Sequence, residues 1–318
     1  MINPGPVWNR RHILKMGASL SGGLLVATSF GNPLTLAAEP ETVPSETARR
    51  QIEEILNAKG KVSDGVFHID IDRKDMDSVT LRGIPIRPSF QINGAIFFQS
   101  ISAERVIMNA DLAVKPDELD RFIDRLLTHD VVFQAEHQHM FDFSPMVWFV
   151  HFRAEGDPRH IAEGVRDALD ATTTPLPQKP AEHATTPLPA EEIGRILGAK
   201  PEVKEDGVVT FDIPRRERIL LGGIEISPYL NVDTDIAFQP LDGGRAAAVP
   251  DYSLLPSKIQ RVVGQKLHEG WEIGCLYNQE TAESPQLYFS HQFKTGDPIQ
   301  LAREIRGALN LMNVKFES

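Results

Sequence analysis

The sequence predicts an α+β protein made of two homologous repeats. Each is an antiparallel or mixed sheet with helices on one face, a ferredoxin-like variant, and the two pair about a pseudo-twofold axis. Two observations predict this. Residues 83–170 align with 223–310 at a constant offset of 140 without a gap, and 23 of the 88 pairs are identical; self-similarity at one fixed spacing marks a duplicated unit. Within each copy, β-branched and aromatic runs alternate with segments of helical spacing in the order strands, helix, two strands, helix. That order suits one sheet with its helices gathered on one side.

The first 38 residues stand apart. Arg10, Arg11 and Lys15 are their only charged side chains, and an uncharged stretch follows from Met16 to Ala38. Asn9-Arg10-Arg11-His12-Ile13-Leu14-Lys15 resembles the twin-arginine signal consensus, and Leu36-Ala37-Ala38 offers small residues for cleavage. Residues 1–38 therefore read as a twin-arginine signal peptide. Gly31, Asn32 and Pro33 interrupt the apolar run short of the roughly 20 residues a membrane anchor needs. The expectation is export through the twin-arginine machinery to the periplasm or the medium, with no stable membrane insertion after cleavage.

Repeat 1 is expected over residues 45–171, a Thr-, Pro- and Ala-rich linker over 172–187, and repeat 2 over 188–318. Each repeat opens with a short helix, carried by Ile52, Ile55 and Leu56 in the first copy and by Ile193, Ile196 and Leu197 in the second. In repeat 1, strands are expected at 66–71, 80–86, 92–99, 104–112, 131–139 and 146–154. Leu119, Phe122, Ile123, Leu126 and Leu127 follow Pro116 at helical spacing, and Asp157-Pro158 starts a second helix. Asp70, Asp72, Asp75 and Asp77 beside Arg73 and Lys74 read as a solvated turn, since they lack the glycine and glutamate of a calcium loop.

The chain has 318 residues and a formal charge of −11, which becomes −14 without the leader. Such an acidic surface repels phosphate backbones and excludes nucleic acid and anionic membranes as partners. A lone cysteine, Cys275, rules out an intramolecular disulfide. No serine-nucleophile elbow or phosphate-binding glycine loop occurs.

The chemically suggestive stretch is Glu136-His137-Gln138-His139, a turn around 141–145, and a returning strand that carries His151. Alternate residues of a strand share a face, so His137 and His139 point the same way. His151 joins them if odd-numbered residues of the two strands pair. Two imidazoles from one strand and a third from its neighbour form a three-histidine set suited to zinc or another divalent transition metal, with a fourth position open. A pairing shift of one residue would turn His151 away. Glu136 and Asp142 are the nearest candidates for a general base or a supporting partner, and His68 for a fourth ligand, although Glu136 should face the opposite side of its strand. Tyr277 and Gln279 replace His137 and His139 in repeat 2, while His291 repeats His151. Two functions fit: an exported protein with a metal site in repeat 1, or a non-enzymatic module that binds a small ligand or an envelope partner.

His137-Gln138-His139-Met140, Pro145, His151-Phe152 and Gly156-Asp157 together resemble the LppY/LpqO family of bacterial exported proteins. The resemblance spans residues 45–318 and is sharpest in repeat 1. It implies export and duplication but no particular chemistry. Some members look like lipoproteins; this chain lacks the cysteine that route requires, which implies a soluble form.

Overall fold

A computed structural model describes residues 42–179 and 184–317. The expected leader and part of the linker lie outside them. Repeat 1 opens with α1 (Glu46–Leu56), followed by β1 (Lys61–Ser63), β2 (Val66–Asp72), β3 (Thr80–Leu81), β4 (Ile84–Pro85), α2 (Pro88–Gln91), β5 (Asn93–Ser100) and β6 (Val106–Val114). Then come α3 (Leu119–Thr128), β7 (Val132–His137), β8 (Phe143–Ser144), β9 (Trp148–Gly156) and α4 (Pro158–Asp170). Repeat 2 has the same order without a counterpart of α2. Its elements are α5 (Ala190–Leu197), β10 (Glu202–Val203), β11 (Val209–Ile213), β12 (Ile219–Leu221), β13 (Ile224–Ile226), β14 (Thr234–Pro240), β15 (Ala246–Leu254), α6 (Pro256–His268), β16 (Glu272–Ile273), β17 (Glu283–Ser284), β18 (Tyr288–Gly296) and α7 (Pro298–Leu309).

Each repeat carries one six-stranded sheet, in the order β1-β2-β5-β6-β9-β7 or β10-β11-β14-β15-β18-β16. Neighbours are antiparallel throughout. Because β9 lies between β6 and β7, those two strands run parallel, joined by α3. This is the split β-α-β unit of ferredoxin-like folds. The strand on the other side of β6 is β5, supplied by the preceding hairpin. Alternation sorts the faces: Ile69, Ile96, Met108, Ala110, Val150 and Phe152 meet α1, α3 and α4 in one core, and Phe211, Phe238, Tyr252 and Leu254 meet the helices of repeat 2 in another. Asp157 and Asp297 cap α4 and α7 by accepting from the amides of His160 (2.9 Å) and Gln300 (2.8 Å), each with proline at the first helical position.

The other face of each sheet is covered by its partner repeat. A small sheet, β4-β3-β8 in repeat 1 and β13-β12-β17 in repeat 2, forms an arm. Its hairpin turns at Arg82-Gly83 and Gly222-Gly223, all four residues at positive φ as a two-residue turn of this hand requires. Leu81, Ile86, Phe90, Phe143 and Phe149 pack with Ala237, Val249 and Phe293 of repeat 2; reciprocally Ile219, Leu221, Leu230, Leu287 and Phe289 pack with Val66 and Ile107 of repeat 1. Equivalent buried amides latch both arms. Gln99 donates to the Glu225 carbonyl (3.0 Å) and accepts from the Ser227 amide (2.6 Å). Gln239 donates to the Pro85 carbonyl (2.9 Å) and accepts from the Arg87 amide (2.8 Å).

Two local expectations are corrected. The helix behind Pro116 starts only at Leu119, because Glu118 is turned inward to accept from the amides of Lys115 (2.9 Å) and Thr173 (2.8 Å) and from Arg73 (2.9 Å). The acidic segment around Arg73 is no solvated turn. Arg73 is fully buried, donates to the Ala113 carbonyl, and pairs with Asp75 and the equally buried Glu118. Arg215 repeats the motif, donating to the Ser253 carbonyl and pairing with Glu217. Replacing Arg73 by methionine strands the Glu118 carboxylate, so a loss of about 3 kcal/mol or more in chemical denaturation is expected. Glu118→Gln in the same chain should restore part of it.

Candidate metal centre

The pairing of β7 with β9 decides where the histidines point. It begins with Val132 opposite Arg153 and Phe133 opposite Phe152, then shifts so that Ala135 lies opposite His151 and His137 opposite Phe149. The extra residue is Gln134, and this bulge changes the parity of everything after it. Without it His137 would face away from His151. Gln134 is held on both sides: it donates to Asn109 Oδ1 (3.0 Å) and accepts from the Thr281 amide of repeat 2 (3.1 Å). The expected odd-with-odd pairing is therefore present, through a bulge.

His137 ends β7, and His139 lies beyond it in the connection to β8 rather than on the strand. The three rings nonetheless converge, each offering a nitrogen within 4.8 Å of the others. His137 Nε2 faces His151 Nε2 at 2.9 Å. His139 stacks on Phe149 (3.3 Å between centroids) and on His291 of repeat 2 (3.6 Å), while His137 lies against Tyr277 (3.5 Å). His139 and His151 are 7% and 3% exposed. Burial, the largest cause, pushes the His137 imidazole down to about 3. It pushes those of His139 and His151 well below the ordinary histidine range, with neighbouring histidines adding to the effect. All three are neutral near pH 7, the form a metal ligand requires.

The hydrogen bonds select the tautomers. The Gln138 carbonyl, 3.3 Å from His137 Nδ1, can only accept, so Nδ1 carries the proton and Nε2 keeps its lone pair. His139 Nδ1 likewise faces Gln91 Oε1 at 3.3 Å, and its Nε2 is buried without a partner. Orientation of one ring nitrogen by an outer acceptor is how proteins present the other to a metal. Bonds of about 2.05 Å in a tetrahedral site put the nitrogens about 3.3 Å apart, a spacing between the closest approach and the full spread seen here. The residues present thus fit a divalent transition metal.

The remaining sequence candidates fall elsewhere. Glu136 is exposed on the opposite face. Asp142 pairs with Arg82 (3.0 Å). His68, although buried, lies 3.9 Å from Asp70 and outside the three-histidine group. In repeat 2, Cys275 occupies the place of Ala135, its Sγ 3.3 Å from His291 Nδ1. Asp251 approaches the same nitrogen at 3.6 Å. A nucleophile relay needs the two on opposite ring nitrogens, and burial pushes the Cys275 thiol up rather than down.

A family model, DUF1529, described as Domain of Unknown Function (DUF1259), matches residues 50–171 and again 191–311. The chain belongs to this family. No curated protein and no solved structure matches it. In this DUF1259 member the two matched segments are the two structural repeats, and the histidine pair is confined to the first.

Gly274 accounts for part of that asymmetry. A Cβ there would lie 2.3 Å from the His139 carbonyl oxygen and 2.4 Å from Met140 Sδ, so a bare backbone lets the histidine segment of repeat 1 approach repeat 2. The equivalent position in repeat 1 is Gln134, the bulge residue. Gly274→Ala is expected to destabilise by about 1–3 kcal/mol through overpacking and to weaken metal binding about tenfold or more by displacing His139. Gly264→Ala, which meets nothing within 4 Å in α6, should leave metal binding unchanged and stabilise slightly. Thermal melts and competition against a chromogenic chelator separate the two.

Proposed function

We propose that His137, His139 and His151 hold a divalent transition metal, zinc in the first instance, and that the protein acts in the periplasm or medium after twin-arginine export. The observation that carries the metal reading is the convergence of three neutral imidazoles with His139 Nε2 buried and unpartnered. The Asn9–Lys15 motif supports export, and the His137–Met140 segment supports a finer placement with the LppY/LpqO proteins. An ion with three protein ligands keeps a position open for Lewis-acid chemistry on a small polar molecule. A second reading, a binding module without catalysis, is favoured by the cavity between the repeats onto which His139 and His151 open.

Plasma mass spectrometry of protein purified without chelator or affinity histidines tests the metal reading. About one equivalent of zinc, copper, iron or manganese is expected per chain, absent from a folded His137→Ala/His139→Ala variant. No metal in either protein, and none taken up when ions are added back, would overturn it.

A further inference from the structure

The sheet faces that meet between the repeats carry two rows of side chains, one residue per strand. In repeat 2, Asp212 lies opposite Asp235, Asp235 opposite Asp251, and Asp251 opposite His291. In repeat 1 the corresponding row is Asp70, Ala95, Asp111 and His151. All eight line a single cavity of about 140 Å³. Like charges directly opposite on neighbouring strands repel, and three carboxylates in succession are a costly arrangement unless something compensates them.

The protein's own cations pair directly with none of these three. Lys204, at the cavity wall, pairs with Asp70 and Glu202 at 2.9 Å each. Among the described residues no lysine or arginine pairs with Asp111, Asp212, Asp235 or Asp251. Asp251 Oδ1 is buried with no hydrogen-bond donor. Independently, His151, 3% exposed on the same wall, has Nδ1 unpartnered; in the metal-free chain its Nε2 donates to the lone pair of His137 Nε2 at 2.9 Å, which leaves Nδ1 as an acceptor. A buried, unsatisfied polar atom is costly and calls for a partner.

We infer that this cavity binds a small organic cation, an aliphatic amine or short diamine. A second metal ion fits poorly, because among the described residues only the three-histidine group gathers its ligand atoms within 4.8 Å. Successive row members are one strand apart, about 4.8 Å, so Asp212 and Asp251 stand about 9.5 Å apart. A chain of atoms bridges that spacing and one ion does not. An ammonium group brings both charge and three donors to an acceptor-rich wall, whereas a neutral polyol offers a carboxylate no opposite charge. A cavity of about 150 Å³ holds a molecule the size of benzene, so the ligand has roughly six non-hydrogen atoms.

Isothermal titration of the chelator-treated full chain with 1,4-diaminobutane, and in parallel with 1,4-butanediol, decides this independently of the metal. Saturable binding of the diamine is expected, with no binding of the neutral diol of the same length. Asp235→Asn/Asp251→Asn should weaken the diamine about tenfold or more through loss of charge-assisted hydrogen bonds, with circular dichroism confirming its fold. Asp111→Asn serves if that variant does not fold. Absence of diamine binding, equal binding of the diol, or an unchanged affinity in the folded variant would overturn the proposal.

Discussion

Produced alone, residues 45–171 are expected to show no cooperative unfolding transition, and neither are residues 188–318; mixed or co-expressed, the two should assemble and melt as one. The reason is the exchange of arms. Leu81, Ile86 and Phe143 share one core with Ala237, Val249 and Phe293 of the other repeat, and Ile219 and Leu221 share another with Val66 and Ile107. Burying a large apolar side chain is worth about 1.5–3 kcal/mol. Uncovering about five of them therefore removes as much as the roughly 5–15 kcal/mol that holds a whole domain together. The latches at Gln99 and Gln239 would also lose their backbone partners. Circular dichroism melts of each fragment and of the mixture test this, and a sharp transition from residues 45–171 alone would show that the arms are ornamental.

The duplication, the succession of strands and helices along the chain and the helix faces were legible because each is written in short-range periodicity or in the offset of 140. Phe98-Gln99 and Phe238-Gln239 are identical at that offset, although only the structure shows that the glutamines clamp opposite arms. The three histidines were legible as residue types, but not the means by which they meet. That depends on the Gln134 bulge, whose anchors are Asn109 and Thr281, and on Gly274, whose contact is His139. These contacts join residues 25 and 147 positions apart in the case of Gln134, beyond the reach of any local pattern. The Arg73 segment was misread for a related reason. Its charges look solvent-facing by composition, and only the packing of Glu118 and Ala113 around the guanidinium reveals a buried network. The facing carboxylate rows likewise require the sheet register, since Asp212, Asp235 and Asp251 are scattered along the chain.

Metal-free protein is expected to lose stability as the pH rises from about 6 to 9, on the order of 5 kcal/mol in total. Burial pushes the carboxyl of Glu280, 2% exposed, up to about 7 and that of Asp111 up to about 7. Burial and then the nearby Asp212 push Asp235 up to about 8. In the unfolded chain these groups ionise near pH 4. Between the two values the folded state holds protons that the unfolded state has released, so stability falls with rising pH. Each group contributes about 1.4 kcal/mol per pH unit until the pH passes its folded pKa. The histidines act in the opposite sense. His137 is pushed down to about 3, and His139, His151 and His291 lie well below the ordinary value. Below about 6.5 the unfolded chain therefore takes up protons that the folded one refuses, and acid destabilises. The two trends oppose each other between about pH 4 and 6.5, and above that only the carboxyl trend remains. Thermal melts of chelator-treated protein across this range should show both limbs, with Glu280→Gln and Asp235→Asn flattening only the alkaline one. Stability that stays level or climbs through pH 9 would mean that the buried carboxyls are ionised and compensated in the fold. In that case the paired carboxylate rows would need a permanent cation of their own.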